Sequence, residues 1–216
     1  MKIMAFNGSP RKEWNTATLL GETLRGATSK GASTELIHLY DHNYKGCRSC
    51  FACKLKGGKS YGRCASRDDL TPILKRVEET DAIILATPVY LGTESGEMRS
   101  FLERLLFPYF TYTNPPQSLF PKKIRVALIF TLGATEKMTE EMGQGKHLSL
   151  TERFTSLVLG EMKTLYSYDT YQFDDYSKYE SSRFDPVHKA QQRQNVFSKD
   201  RETAFAMGTW LAEGKE

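Results

Sequence analysis

The chain has 216 residues, of which 39% are hydrophobic and 26% charged, and its formal net charge is +4. This length allows one sizeable core, so we expect a single domain over residues 1–216, with the composition of a soluble globular protein. Basic and acidic residues are interleaved, which argues against nucleic-acid binding, and no apolar run approaches the roughly 20 residues of a membrane-spanning helix. The N-terminus carries no secretory leader, and we therefore expect a cytoplasmic protein.

The first twenty residues predict a strand, a polar loop and a helix. An apolar run at 3–6 breaks into the polar stretch 7–16, and helical spacing of apolar residues follows. The free amides and the dipole of a helix N-terminus favour an anion, so the loop predicts a phosphate site. The alternative is an ordinary turn in which Asn15 is only the N-cap. The side chains expected to bind the phosphate are Ser9, Arg11, Asn15 and Thr16.

Predicted strands and helices alternate along the rest of the chain. This order indicates an α/β fold with a parallel sheet covered by helices on both faces. Ligands of such sheets bind outside the carboxyl ends of the strands, where we expect the loops 8–16, 87–92 and 131–134 to converge. The predicted helices are 16–28, 68–77 with Asp68 as N-cap, 97–106, 148–162 and 187–210; the later strands are 34–39, 81–87, 123–132 and 164–173; residues 108–121, 135–146 and 174–186 are predicted to be irregular.

Two sets of motifs resemble a known family. One set comprises the first loop, the segment at the end of the third predicted strand and the helix that follows it. The other set is a group of cysteines with the residues after them. Together they resemble the flavodoxin-like NAD(P)H-dependent FMN reductases, and within them the iron–sulfur flavoprotein branch, over roughly the first 135 residues. The motifs are Gly8-Ser9-Pro10-Arg11-Lys12 with Asn15-Thr16, Thr87-Pro88-Val89-Tyr90, the helix at 98–104, the three cysteines Cys47, Cys50 and Cys53, and Gly62-Arg63-Cys64 followed by Asp68-Asp69.

The resemblance implies a flavodoxin-like three-layer sandwich whose five-stranded parallel sheet has the order 2-1-3-4-5. It also implies a cysteine-rich insertion at 45–67 and an irregular C-terminal extension from about residue 174. The phosphate of FMN would lie on the four side chains of the first loop. The isoalloxazine ring would lie against Pro88, Val89, Tyr90, Leu91 and Gly92, and Thr131, Leu132 and Gly133 would complete the pocket. The alternative for Tyr90 is a half-buried core aromatic.

The four cysteines are Cys47, Cys50, Cys53 and Cys64, and basic residues, among them Lys54, surround them. Four thiolates are the ligands of a 4Fe-4S cluster in low-potential electron carriers. Ten residues separate Cys53 from Cys64, which is longer than the usual gap of the family. The spacing leaves three interpretations open: a 4Fe-4S cluster, a structural zinc, and reduced thiols without metal.

The resemblance implies an FMN-dependent oxidoreductase that passes electrons from NAD(P)H or a reduced ferredoxin-like donor to a quinone, a flavin or another small acceptor. One alternative is a non-enzymatic flavin and iron–sulfur electron carrier between protein partners. Another is a flavin-free protein that uses its cysteines for metal or redox sensing. Hydride transfer needs little from the protein, so no catalytic acid or base is assigned. The resemblance also implies a homodimer or homotetramer, and the aromatic stretch 107–120 supports this expectation because its apolar surface needs cover.

Overall fold

The computed structural model describes residues 1–213. Its strands are β1 (Lys2–Asn7), β2 (Ser33–His38), β3 (Ala82–Tyr90), β4 (Thr93–Glu94), β5 (Arg125–Thr131) and β6 (Met162–Ser167). The five longer strands are parallel and lie side by side in the order β2-β1-β3-β5-β6, and β4 pairs antiparallel with the end of β3. The predicted order 2-1-3-4-5 is therefore confirmed once the two-residue β4 is set aside.

Helices cover both faces of this sheet. Alternate residues of β1 enter different cores, since Met4 and Phe6 pack on one face and Ile3 and Ala5 on the other. This alternation follows from the two-residue period of a strand. Both faces are apolar, which is why the strands read as continuous hydrophobic runs. The helices are α1 (Asn15–Ser29), α2 (Leu70–Val77), α3 (Gly96–Leu106), α4 (Glu136–Glu141), α5 (Gln144–Leu159), α6 (Pro186–Asn195) and α7 (Phe197–Ala212).

Helices α1 and α7 cross at a distance that only glycine permits. A Cβ atom on Gly26 would lie 2.0 Å from the carbonyl oxygen of Phe205, and one on Gly208 would lie 1.9 Å from that of Thr23. Backbone atoms cannot yield as a flexible side chain can. The two glycines therefore fix how closely the C-terminal helix packs on α1, the helix that follows the first loop.

Three segments differ from the sequence-based expectation. The stretch 135–146 is not a loop: α4 begins where the Thr135 hydroxyl accepts the Met138 N–H, and α5 begins at Gln144. The last strand ends at Ser167 because its neighbour β5 ends opposite it at Thr131. The final helix is two helices, α6 and α7, which meet at Val196.

The predicted helix caps also differ in detail. The N-cap of α1 is Trp14, and Asn15 is the first helical residue. The N-cap of α2 is Asp69 instead of Asp68, whose carboxylate nevertheless accepts the Leu70 N–H at 3.1 Å. Within residues 1–213, no helix combines the length and the apolar character needed to cross a membrane.

Candidate functional site

The loop between β1 and α1 is held by its own side chains. The Ser9 N–H donates to Asn7 Oδ1 at 2.9 Å, and the Arg11 N–H donates to Ser9 Oγ at 3.1 Å. Ser9, Asn15 and Thr16 are all buried. No side chain caps the first turn of α1, and no acidic residue lies in it. Its backbone N–H groups and the Ser9 hydroxyl hydrogen are thus suited to an anionic ligand.

Two hydrogen bonds join this loop to the ends of β5 and β3. The hydroxyl oxygens of Thr16 and Thr131 lie 2.7 Å apart, which ties α1 to the end of β5. The buried Ser95 hydroxyl donates to the carbonyl oxygen of Gly8 at 2.6 Å, and its own N–H donates to Thr87 Oγ1 at 3.2 Å. The three loops therefore meet at one edge of the sheet. Ser95 was missed in the sequence, although a serine before a helical stretch is a recognisable N-cap.

The segment expected beside a flavin ring is a tight hairpin. Pro88, Val89 and Tyr90 continue β3, and Val89 and Tyr90 pair with β4. Leu91 and Gly92 form the turn with φ angles of 51° and 88°, as a two-residue hairpin turn of the primed type requires. The Leu91 side chain is fully exposed, and Tyr90 is about half exposed. Partial burial raises the pKa of the Tyr90 phenol above its usual value.

The third loop, residues 131–134, is held by Lys189 of helix α6. The Lys189 ammonium group donates to the Gly133 carbonyl oxygen at 2.6 Å and to that of Thr170 at 3.1 Å, and it pairs with Asp169 at 2.6 Å. Lys189 is almost completely buried, which lowers its pKa. The Gln172 side chain packs closely on Gly133, since a Cβ there would lie 2.1 Å from Nε2 of Gln172 and would displace that side chain.

A strap formed by residues 169–173 covers the first loop, and the sequence did not predict it. The Arg11 guanidinium donates to the Gln172 carbonyl oxygen at 2.6 Å, and the Asn15 amide donates to that of Tyr171 at 2.6 Å. Arg193 of α6 in turn donates to Asn15 Oδ1 at 2.9 Å. Two of the four predicted phosphate ligands thus hold the strap, whereas the Ser9 hydroxyl accepts the Arg11 N–H and the Thr16 hydroxyl bonds to that of Thr131.

The four cysteines line one small cavity of about 10 Å³. Cys47 and Cys50 are exposed, Cys53 is buried and Cys64 is intermediate, and all four are free thiols. Burial raises the pKa of Cys53, whereas a hydrogen bond with the backbone of Ala52 lowers that of Cys50. In residues 1–213, no group of three or more histidine, cysteine, aspartate or glutamate side chains is placed to hold a metal ion.

The ammonium group of Lys54 lies close enough to Cys53 and Cys47 to interact with their charge, and its hydrogen bonds go to the aromatic stretch. Its ammonium group donates to the carbonyl oxygens of Phe107, Pro108 and Phe110, which follow the end of α3. It also lies over the Phe107 ring, 4.4 Å from the centroid. Lys54 thus anchors the cysteine segment to the aromatic stretch 107–120.

An apolar cavity of about 610 Å³ lies between α3 and α5. Thr93 of the hairpin lies on its wall, and Glu103 and Phe107 line both this cavity and the cysteine cavity. The cavity therefore lies next to both the hairpin and the cysteine segment. Its apolar walls come from α3, α5 and the aromatic stretch, and include Leu102, Leu106, Phe110, Tyr112, Leu150, Phe154 and Val158.

The fold and the converging loops define an α/β protein of flavodoxin-like architecture. Solved structures share this fold across nearly the whole chain. An NAD(P)H:quinone oxidoreductase from Methanothermobacter marburgensis has a TM-score of 0.71 at 12% identity, covering 97% of this chain and 98% of that one. An azoreductase from Bacillus anthracis has a TM-score of 0.68 at 13% identity, covering 97% and 99%.

The chain belongs to the NADPH-dependent FMN reductase family, whose model matches residues 1–142. Among curated proteins it is similar to an iron-sulfur flavoprotein of Methanocaldococcus jannaschii, with 38% identity over 104 residues, or 48% of this chain and 51% of the relative. An iron-sulfur flavoprotein of Archaeoglobus fulgidus is also 38% identical over 104 residues, with 48% of each chain covered. The chain thus matches about half the length of these curated relatives.

Proposed function

We propose that the protein is an FMN-dependent oxidoreductase that passes electrons from NAD(P)H or a reduced ferredoxin-like donor to a quinone, a flavin or another small acceptor. The family membership supports this proposal. One structural observation carries it: the first loop, the β3–β4 hairpin and the end of β5 meet beside an uncapped helix N-terminus. An FMN-bound NADH-azoreductase of Bacillus anthracis shares the fold with a TM-score of 0.65.

The residues present fit a phosphate. Ser9 and Thr16 offer buried hydroxyl groups, and the first turn of α1 offers backbone N–H groups without an acidic neighbour. Arg11 and Asn15 are available to a phosphate only if they exchange their hydrogen bonds with the strap. Because a charge-assisted hydrogen bond is stronger than one to a neutral carbonyl, we expect a phosphate to compete for these donors.

The chain's own groups would bind and orient the cofactor. When bound, FMN supplies the hydride and electron chemistry of the reaction. The Thr16–Thr131 and Ser95–Gly8 hydrogen bonds hold the loops in register. Backbone groups of the hairpin and the half-exposed Tyr90 would lie along the ring, with Pro88, Val89, Leu91 and Gly92, while Thr131 and Gly133 close the opposite side.

We also propose that Cys47, Cys50, Cys53 and Cys64 hold a 4Fe-4S cluster. Four thiolates are the donor set of such a cluster, and the four thiols line one cavity. When bound, the cluster supplies single-electron transfer. The curated relatives named iron-sulfur flavoproteins support this assignment.

Anaerobic purification followed by an absorbance spectrum and analysis of FMN, iron, sulfide and zinc tests both cofactors together. We expect Ser9→Ala and Thr16→Ala to weaken FMN binding by about 10- to 100-fold, as loss of a hydrogen bond to a charged group implies. Thr28→Ala is the matched control, since Thr28 is an exposed threonine near the other end of α1. A preparation that contains no flavin and does not bind added FMN would overturn the flavin assignment.

The alternative function is a non-enzymatic electron carrier between protein partners. The apolar cavity favours it, because its wall includes Thr93 of the hairpin and shares Glu103 and Phe107 with the cysteine cavity, so the two candidate redox sites flank the same part of the molecule. Steady-state turnover with NAD(P)H and a quinone separates the two functions. Negligible turnover, with full reduction by a ferredoxin-like protein, would identify the carrier.

We further propose a homodimer or homotetramer in the cytoplasm. The exposed apolar side chains of Leu91, Tyr112 and Phe154 support an oligomer. Four free cysteines support a reducing compartment. Light scattering of the purified protein checks the first point, and a monomeric mass would contradict it.

A further inference from the structure

Arg104 is the largest of the fully buried side chains, with only 2% of its surface exposed. It projects from α3 toward the cysteine segment, where its guanidinium group contacts three other residues. The Nη atoms donate to both carboxylate oxygens of Asp68, at 2.7 and 3.1 Å, and Nη1 also donates to the Lys45 carbonyl oxygen at 2.9 Å. The remaining donor, Nε–H, points at the sulfur of Cys64 at 2.9 Å.

The orientation of this guanidinium group is fixed by its surroundings. Asp68 binds it in a two-pronged fork, and the same carboxylate is held by the Leu70 N–H at the start of α2. The Lys45 carbonyl, at the other end of the cysteine segment, holds Nη1. Because a guanidinium group is planar and rigid, these contacts determine where Nε–H points. By comparison, the Ser49 N–H lies 3.5 Å from Cys47 Sγ, so the contact at Cys64 is the closer of the two.

We infer that Arg104 tunes the electron affinity of the four-cysteine centre by donating its Nε–H to the sulfur of Cys64. This inference rests on the proposed cluster. Hydrogen bonds to the sulfur atoms of a cluster stabilise its reduced, more negative state and so raise its reduction potential. Asp68 balances the charge of the guanidinium group, so the N–H dipole is the part that acts on the sulfur. Arg104 is thus a tuning residue that touches a ligand of the centre.

The test is a redox titration of the cluster, followed by electron paramagnetic resonance in full-length protein with measured iron and sulfide. The double variant Arg104→Met with Asp68→Asn removes both charges and the N–H donor together. Arg104→Lys keeps the charge but not the planar fork. At the midpoint potential of the wild type, we expect the ratio of reduced to oxidised cluster to be at least tenfold lower in both variants. This corresponds to a midpoint potential that is about 59 mV more negative.

Two further variants separate tuning from a merely structural role. Asp68→Asn keeps the donor and removes a negative charge, so its midpoint should not become more negative. Arg63→Met is the matched control: Arg63 precedes Cys64, is exposed and pairs with Glu78. Its midpoint should match the wild type. Equal midpoints in the wild type, Arg104→Lys and the double variant, each with a full complement of iron, would overturn the inference.

A second measurement covers variants that lose the cluster or fail to fold. Pulsed electron paramagnetic resonance is recorded on the reduced cluster in wild-type protein that contains ¹⁵N-labelled arginine. We expect it to detect a magnetic coupling to an arginine nitrogen, and we expect the Arg63→Met variant to retain that coupling. Absence of the coupling would overturn the role of Arg104 while leaving the cluster in place. Wild-type protein that holds zinc or no metal would overturn the cluster assignment together with this inference, whereas the flavin assignment is decided separately by the FMN measurements.

Discussion

The hydroxyl groups of Thr16 and Thr131 share a hydrogen bond of 2.7 Å, although 115 positions separate them in the chain. Thr16 lies in the first turn of α1, and Thr131 is the last residue of β5. The bond fixes the rotamer of the Thr16 hydroxyl at the edge where the three loops meet. If a phosphate binds there, Thr131 acts on it through Thr16.

A double-mutant cycle tests this coupling. We expect Thr131→Val to weaken FMN binding less than Thr16→Val does, and the double variant to bind FMN as weakly as Thr16→Val alone. The reason is that Thr131 has nothing to orient once the Thr16 hydroxyl is gone. Dissociation constants from flavin fluorescence measure the effect. Additive losses would mean that Thr131 contacts the cofactor independently.

Removing Lys189 should strongly destabilise the protein. Lys189→Met leaves the buried Asp169 with only the His188 imidazole, 2.8 Å from Oδ2, as a basic partner, and breaking a buried pair in this way costs about 3–5 kcal/mol of unfolding free energy. Adding Asp169→Asn should recover part of the loss, since asparagine tolerates the φ of 54° at this position. Urea denaturation measures each variant. Lys178→Met, which breaks an exposed pair with Asp175, should change stability by less than about 1 kcal/mol.

Two glycines of α1 should respond oppositely to alanine. Gly26→Ala places a Cβ against the Phe205 carbonyl and should destabilise the fold by about 1–3 kcal/mol through overpacking. Gly21→Ala meets no atom within 4 Å and should stabilise it by roughly 0.5–1 kcal/mol, because alanine favours the helix. Thermal unfolding of the two variants checks the pair. Similar effects would show that the α1–α7 contact is looser than described.

Asp200 should make stability depend on pH. Burial raises the pKa of its carboxyl group, although the Ser167 hydroxyl donates to it at 2.6 Å and opposes the shift. A raised folded-state pKa means that this group's contribution to stability is fully present below the unfolded value of about 3.9 and is lost as pH rises through the folded value. Asp200→Asn should therefore be more stable than the wild type at neutral pH, with the difference shrinking as pH falls. Urea denaturation between pH 4 and pH 8 measures the difference in unfolding free energy between the variant and the wild type. A difference that does not change with pH would contradict the raised pKa of Asp200.

The sequence alone determined the fold class and the position of the candidate site. Strand-length apolar runs, helical spacing and the turn residues around Gly8 and Gly133 are local signals, and each acts within a few positions along the chain. They were sufficient to predict a parallel sheet covered by helices, whereas the strand order came from the resemblance to the FMN reductase family. They also indicated which strand ends carry the loops that meet, because parallel strands present their carboxyl ends at one edge.

The tertiary structure alone decided which side chains are partners. The Tyr171 carbonyl accepts from Asn15, Lys189 holds Gly133, and Arg104 donates to Cys64. These contacts join residues that are 40 to 156 positions apart, so they depend on how packed helices and strands lie against one another. The spacing of apolar residues along the sequence predicts which face of a helix or strand is buried, but it does not predict which element packs against that face. The strap over the first loop and the orientation of Arg104 are for this reason properties of the folded chain.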